Sequence, residues 1–250
     1  MPTAGTFTED TLLDGRVKLT QPQDGYRVAI DPVLLAAAVP AQANERVFEI
    51  GAGSGAAALC LAARVAGVAI DGIEMQPDLL ALAERNVRQN GVAARLRILP
   101  GDLLDPPAAL REGAYDHVMA NPPHLPASGS APRDAERRLA HREGTADLAD
   151  WVRFAGRMAK EGATLTFLHR FDRLDELLDL LGACAGDLRV LPLCPMAGRP
   201  AKRVLVQGRK GAPAGTARAD ARALHDAAGA YTPELEAVLR KGAALSLDRS

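Results

Sequence analysis

The seven residues Glu49-Ile50-Gly51-Ala52-Gly53-Ser54-Gly55 constrain the fold more than any other stretch of the chain. They close a short apolar run, residues 46–50, and open an Ala- and Leu-rich one, residues 56–66. A second strand-like run, residues 68–74, follows at once. Strand, glycine turn, helix and strand make a βαβ unit, whose crossover is right-handed and whose strands are parallel. The alternation continues. Residues 77–90 place Leu79, Leu80, Leu82, Ala83 and Val87 at helical spacing, and Asn90-Gly91 ends that helix. Strands are expected at 95–99, 115–120 and 164–169, and helices at 148–160 and 174–181. The implied architecture is α/β, a mostly parallel sheet with helices on both faces.

The flanks read differently. Residues 12–28 carry two Asp-Gly turn signals among alternating residues, which predicts a β-hairpin. Asp31-Pro32 then starts a helix, with Pro in its first turn. Residues 188–193 and 202–207 form a closing antiparallel hairpin. The catalytic-type domain spans 1–210. Residues 211–230, rich in Ala, Gly and Arg, read as a mobile linker, and 231–250 as a C-terminal helical segment around 233–241.

With 250 residues and 48% hydrophobic content, one α/β domain with appendages has ample core. The formal net charge of -1 excludes a uniformly basic nucleic-acid-binding surface, so any RNA contact uses a local patch. Cys60, Cys184 and Cys194 lack metal-type spacing, and their odd number argues against a disulfide framework. Together with a polar N-terminus and no membrane-length apolar run, this reads as a cytoplasmic protein without a metal or membrane partner.

Gly51, Gly53 and Gly55 permit a tight strand-to-helix turn and close ligand approach. A glycine triplet alone is as common in plain βα turns; its neighbours give it meaning. Glu74 ends the second strand, where a carboxylate can accept from both ribose hydroxyls of a nucleoside cofactor. Asp102 follows the third strand and can accept from an adenine amine, although a lone Asp there is as readily a turn residue. Glu49, Met75 and Leu103 adjoin these positions and join the candidate cofactor set with Asp31 and Asn121. Glu74 and Asp102 each sit at the C-terminal end of a strand, the edge at which open α/β sheets bind ligands.

Asn121-Pro122-Pro123-His124 follows the fourth strand of the unit. An amide or adenine amino nitrogen is a poor nucleophile because its lone pair is delocalised. Two acceptors around its N–H groups, the Asn121 side-chain oxygen and the Pro122 carbonyl, favour a more pyramidal nitrogen. The two prolines stiffen the corner, and a planar ring at His124 can stack on the target. The bland alternative is an Asn-Pro turn that closes a strand. His117 reads as a structural core residue, and His169 as a strand-end residue with a lesser claim on the site.

Glycine loop, Asp71-Gly72-Ile73-Glu74-Met75-Gln76, Gly101-Asp102 and Asn121-Pro122-Pro123, in that order, resemble class I S-adenosylmethionine-dependent methyltransferases. The segments at 12–39, 192–211 and 225–242 further resemble the bacterial tRNA-valine (adenine-N6)-methyltransferase family. The resemblance implies a Rossmann-like seven-stranded sheet ending in an antiparallel hairpin. It also implies S-adenosylmethionine as cofactor, and transfer to N6 of an adenosine just 3′ of the anticodon of a valine tRNA. On the family pattern Gly51, Gly53, Glu74 and Asp102 contact the cofactor, Asp31 lies in an element over it, and Asn121-Pro122-Pro123 holds the base. His124 departs from the family's Tyr or Phe.

Residues 188–219 contain Arg189, Arg199, Lys202, Arg203, Arg209, Lys210 and Arg218 and no acid, which makes the hairpin a candidate tRNA surface. Arg199, Lys202, Arg203, Arg209 and Lys210 are its named contacts; a solvated hairpin is the bland alternative. Arg133, Arg137, Arg138, His141 and Arg142 form a second candidate, offset by nearby acids. Rival functions remain open at this level. One is N-methylation of rRNA or of protein glutamine, the latter disfavoured because few residues precede the glycine loop. The other is a non-catalytic RNA-binding factor.

Overall fold

The computed structural model describes residues 7–23, 28–123 and 146–248. His124 and the basic residues at 133–142 lie outside them. The N-terminal hairpin pairs β1 (Phe7–Leu12) with β2 (Val17–Pro22) around Leu13-Asp14-Gly15-Arg16. Helix α1 (Asp31–Ala38) follows, with its second residue Pro32, and is buried along nearly its whole length.

The central unit is β3 (Arg46–Ile50), α2 (Ala56–Arg64), β4 (Ala69–Glu74), α3 (Pro77–Gln89), β5 (Leu96–Pro100) and β6 (Tyr115–Ala120). Then come α4 (Leu148–Met158), β7 (Ala159–Arg170), α5 (Leu174–Gly182), β8 (Gly186–Met196) and β9 (Arg203–Arg209). β3 through β7 pair parallel, and β9 lies antiparallel between β7 and β8. These seven strands are the expected Rossmann-like sheet with its closing hairpin. Their order places β4 on one side of β3 and β6 on the other. The winding direction therefore reverses at β3, and a crevice opens beyond the strand ends at that reversal.

Helices cover both faces, which is why the middle strands are buried along most of their length. One core cluster joins Leu34, Leu59, Leu61, Ile70 and Ala83 from α1, α2, β4 and α3. The other joins Phe48, Tyr115, Phe154, Trp151 and Phe167 on the opposite face. Helix α4 is started by a reciprocal capping box between Asp147 and Asp150. His117 is structural: its ring nitrogens meet Thr164 Oγ1 at 2.7 Å and a Glu45 carboxylate oxygen at 2.9 Å. His169 is buried near the end of β7.

One expectation is corrected. Residues 211–230 are not a free linker. They contain β10 (Thr216–Arg218) and β11 (Arg222–His225), which add to the outer edge of β8 and extend the sheet to nine strands. Helix α6 (Pro233–Lys241) follows, capped by the Thr232 hydroxyl, and packs Leu235 and Val238 into the core beside α1. Ala, Gly and Arg carry little strand propensity. The pairing comes from the exposed edge of β8, which would otherwise present unpaired backbone groups.

Candidate active site

Four strand ends in a row form the crevice. From β5 to β6 they carry Asp102, then Glu74, then the glycine loop, then Asn121. The register fixes this order, because Glu74 pairs with Pro100 and Ile50 with Ala120. At a strand spacing of 4.7–4.9 Å the row is roughly 15 Å long.

The glycine loop is held from beneath and from both sides. Ala52 N–H donates to the Ile73 carbonyl at 2.9 Å, and Gly55 N–H to the Ala52 carbonyl at 2.8 Å. Glu74 Oε2 accepts from Gly53 N–H at 2.7 Å, while its Oε1 accepts from Gln76 N–H at 2.8 Å. Burial raises the Glu74 pKa, and these amide bonds oppose the shift. Glu49 is only 4% exposed, and its Oε2 accepts from Ala58 N–H in the first turn of α2 at 3.0 Å. That bond satisfies one of the helix's orphan donors. Burial pushes Glu49 up to about 8, and the Glu74 charge adds to the rise.

The three glycines divide their work. Gly51 has φ +65°, and an added Cβ would lie 2.5 Å from Cη2 of Trp151. Its lack of a side chain serves the indole of α4. Gly53 has φ +56° with open space where a Cβ would stand, so it is the glycine that leaves room for a ligand. Gly55 caps α2 and packs on Ala83.

Two residues the sequence reasoning missed shape this loop. Asn86 on α3 is fully buried. Its Nδ2 donates to the carbonyls of Ser54 and Thr20, both at 2.9 Å, and its Oδ1 accepts from Thr20 N–H at 2.8 Å and Gln89 Nε2 at 2.8 Å. One amide thus ties the N-terminal hairpin to the loop with every donor and acceptor used. Trp151 is the second. No period or motif marks either one; a single Asn on a helix reads as a solvated residue.

Of the remaining candidates, Met75 is an exposed apolar side chain beside Glu74, and Leu103 is buried in the core beneath the crevice. Asp102 Oδ1 accepts from Leu104 N–H at 2.9 Å, which leaves its second oxygen free of that turn. Asp31 forms an ion pair with Arg203 at 3.0 Å, bridging α1 to the start of β9. Asn121 has a buried side-chain oxygen without a hydrogen-bond partner. Among the described residues this acceptor is unmet, and a buried acceptor left unmade costs about 1–3 kcal/mol.

The basic hairpin is split. Arg203 opposes Arg170 at the C-terminal end of β7, on the crevice edge, and the turn with Arg199 and Lys202 lies there too. Arg209 opposes Thr164, six residues along β9 and about 20 Å away. Arg209 donates to the Gly162 carbonyl, and Lys210 Nζ to those of Gly156 and Ala159. Arg209 and Lys210 therefore belong to the opposite edge and tie down the chain there, which removes them from any surface shared with the crevice. Among the described residues no group of three His, Cys, Asp or Glu side chains is arranged to hold a metal. No helix among them is long and apolar enough to cross a membrane.

The model of the methyltransferase small domain family matches residues 27–141. A Porphyromonas gingivalis protein named tRNA1(Val) (adenine(37)-N6)-methyltransferase is 30% identical over 236 residues, covering 88% of this chain and 89% of the relative. An Aeromonas salmonicida protein of the same name is 30% identical over 187 residues, covering 72% and 75%. A solved structure of a predicted O-methyltransferase from Agrobacterium tumefaciens superposes with TM-score 0.72 at 25% identity, covering 86% of this chain and 98% of that one.

Sheet order, crevice and matches together define a class I S-adenosylmethionine-dependent methyltransferase. The residues fit that cofactor: Gly53 leaves the space, and Glu74 and Asp102 offer carboxylate oxygens along a row long enough for a nucleoside and its amino-acid tail. The chain belongs to the family whose curated members carry the tRNA1(Val) (adenine(37)-N6)-methyltransferase name.

Proposed function

We propose that this enzyme methylates N6 of an adenosine in tRNA, the one beside the anticodon of a valine tRNA. The observation that carries the reading is the partnerless, buried Asn121 oxygen at the strand next to the glycine loop. Family membership supports the choice of tRNA. In this reading Asn121 Oδ1 and the Pro122 carbonyl each accept one N–H of the adenine amino group. The lone pair is then directed across the narrow gap between β6 and β3. S-adenosylmethionine supplies an electrophilic methyl group on a sulfonium. Glu74 and Asp102 anchor the ribose and adenine ends of the cofactor, and Gly53 gives it backbone contact. Neither Asn121 nor the prolines can take up the proton that the nitrogen must lose once it carries the methyl group, so that proton passes to solvent and the chain acts mainly by alignment. Arg199, Lys202 and Arg203 are the proposed RNA contacts on the crevice edge. His124 is retained as the proposed stacking ring.

The test is an assay with methyl-labelled S-adenosylmethionine against tRNA, rRNA and protein fractions. Label in tRNA is the expected result. Label confined to rRNA or to protein glutamine overturns the substrate; no label in any fraction, with the cofactor bound, favours a non-catalytic RNA-binding factor.

A further inference from the structure

The segment expected as a linker delivers a stacked aromatic pair to the crevice edge. His225 ends β11, and its register partner is Met196 at the end of β8. β8 runs parallel to β6 and β7, because both β7 and β8 pair antiparallel with β9. His225 therefore lies beyond the same edge of the sheet as Asn121, four strand positions across and five residues further along the strands, or roughly 25 Å away. The His225 ring stacks on Tyr231 with centroids 4.6 Å apart and planes 24° from parallel. Tyr231 in turn packs against the apolar core. His225 Nδ1 meets the Pro195 carbonyl at 3.1 Å, and a backbone bridge joins His225 to Tyr231. Both rings are half-buried. Tyr231 thus covers one face of a His225 ring that is partly exposed and held in place by these contacts.

Cations lie beside it. Arg199 N–H donates to the Met196 carbonyl, so the exposed Arg199 and Lys202 turn starts where His225 pairs. The acids nearby are engaged. Asp226 Oδ1 accepts from the amides of Ala228 and Ala230, and Glu234 pairs with Arg222. A rigid planar ring flanked by cations fits a nucleobase with its phosphates.

We propose that His225, backed by Tyr231, stacks an unpaired base of the RNA substrate a few nucleotides from the methylated one, with Arg199 and Lys202 on the intervening phosphates. This rests on the tRNA reading above. The test uses an unmodified valine tRNA transcript and the full chain. His225→Ala raises the KM for tRNA about tenfold, with kcat and S-adenosylhomocysteine affinity unchanged. His225→Phe restores it, as stacking requires, and Tyr231→Phe behaves as the parent. A parent that methylates the transcript, with His225→Ala equal to it in KM, overturns the stacking site alone. A rise in KM that His225→Phe fails to rescue overturns it too. A parent that modifies no RNA overturns the tRNA reading and the stacking site with it.

Discussion

The two halves of the crevice are built on opposite terms. In the cofactor half the loop is saturated by its own chain: Gly53 N–H by Glu74, the Ser54 carbonyl by Asn86, Ala52 N–H by Ile73. In the acceptor half the Asn121 oxygen is buried with no partner among the described residues. Saturation fixes a shape in advance and lowers the ordering cost of binding. An unmet acceptor costs stability in the free protein and is repaid only when a donor docks. On the proposed function, the first half is preorganised for a cofactor and the second is completed by its substrate.

That contrast breaks most visibly at Asn121. Asn121→Ala should lower turnover by about 10³-fold or more, on the scale of removing one transition-state hydrogen-bonding group. S-adenosylhomocysteine affinity by calorimetry should stay at the parent value, and thermal stability should hold or rise, because an unpaired buried acceptor is gone. Loss of cofactor affinity in this variant would show that the halves are not separable.

In the saturated half, Glu74→Ala should weaken S-adenosylhomocysteine binding by about 1–3 kcal/mol. Asn86→Ser should raise the KM for S-adenosylmethionine several-fold while sparing kcat, since Asn86 holds the loop from behind and touches no reacting atom. A fall in kcat at saturating cofactor would instead place Asn86 in the acceptor half's alignment.

On the RNA side, Arg199→Ala with Lys202→Ala should weaken tRNA binding and reduce its salt slope by about 2, one per phosphate contact. Arg209→Ala should leave that slope unchanged, because Arg209 lies at the other end of β9. Equal slopes in the two variants would discard the crevice-edge surface.

A separate effect, on stability alone, concerns Glu49. Its pKa is raised to about 8 by burial, so the folded state holds a proton that the unfolded state gives up near the ordinary carboxylate value. The stability tied to that proton is fully present below the ordinary value and is lost as pH rises through about 8. Glu49→Gln should flatten the fall in melting temperature across that window. An unchanged slope would mean that Glu49 is ionised in the folded protein.

The crevice was legible in the sequence because its grammar is local. Glycine loop, Glu74, Asp102 and Asn121 each follow a strand within one or two residues, and parallel strands bring all such ends to one edge. Asn86 and Trp151 were not legible. Each sits on a helix, and its importance comes from a partner far along the chain: Ser54 for one, Gly51 for the other. The basic run misled for a related reason. Arg199 and Lys210 are neighbours in sequence, but β9 carries the chain from one edge of the sheet to the other between them. Strands β10 and β11 escaped because edge pairing on β8, not composition, makes them.

The most direct test of the account is the identity of the methylated atom. A valine tRNA transcript is taken through one turnover with the parent enzyme, then digested in parallel to nucleosides, which identify the methylated atom, and to ribonuclease oligonucleotides, which place it, and both are resolved by mass spectrometry. The account predicts N6-methyladenosine at the position beside the anticodon, and none with Asn121→Ala. Methyl groups on a ring nitrogen or on ribose would contradict the proposed amino-holding role of Asn121, and a methylated amino group on another base would contradict the proposed adenosine.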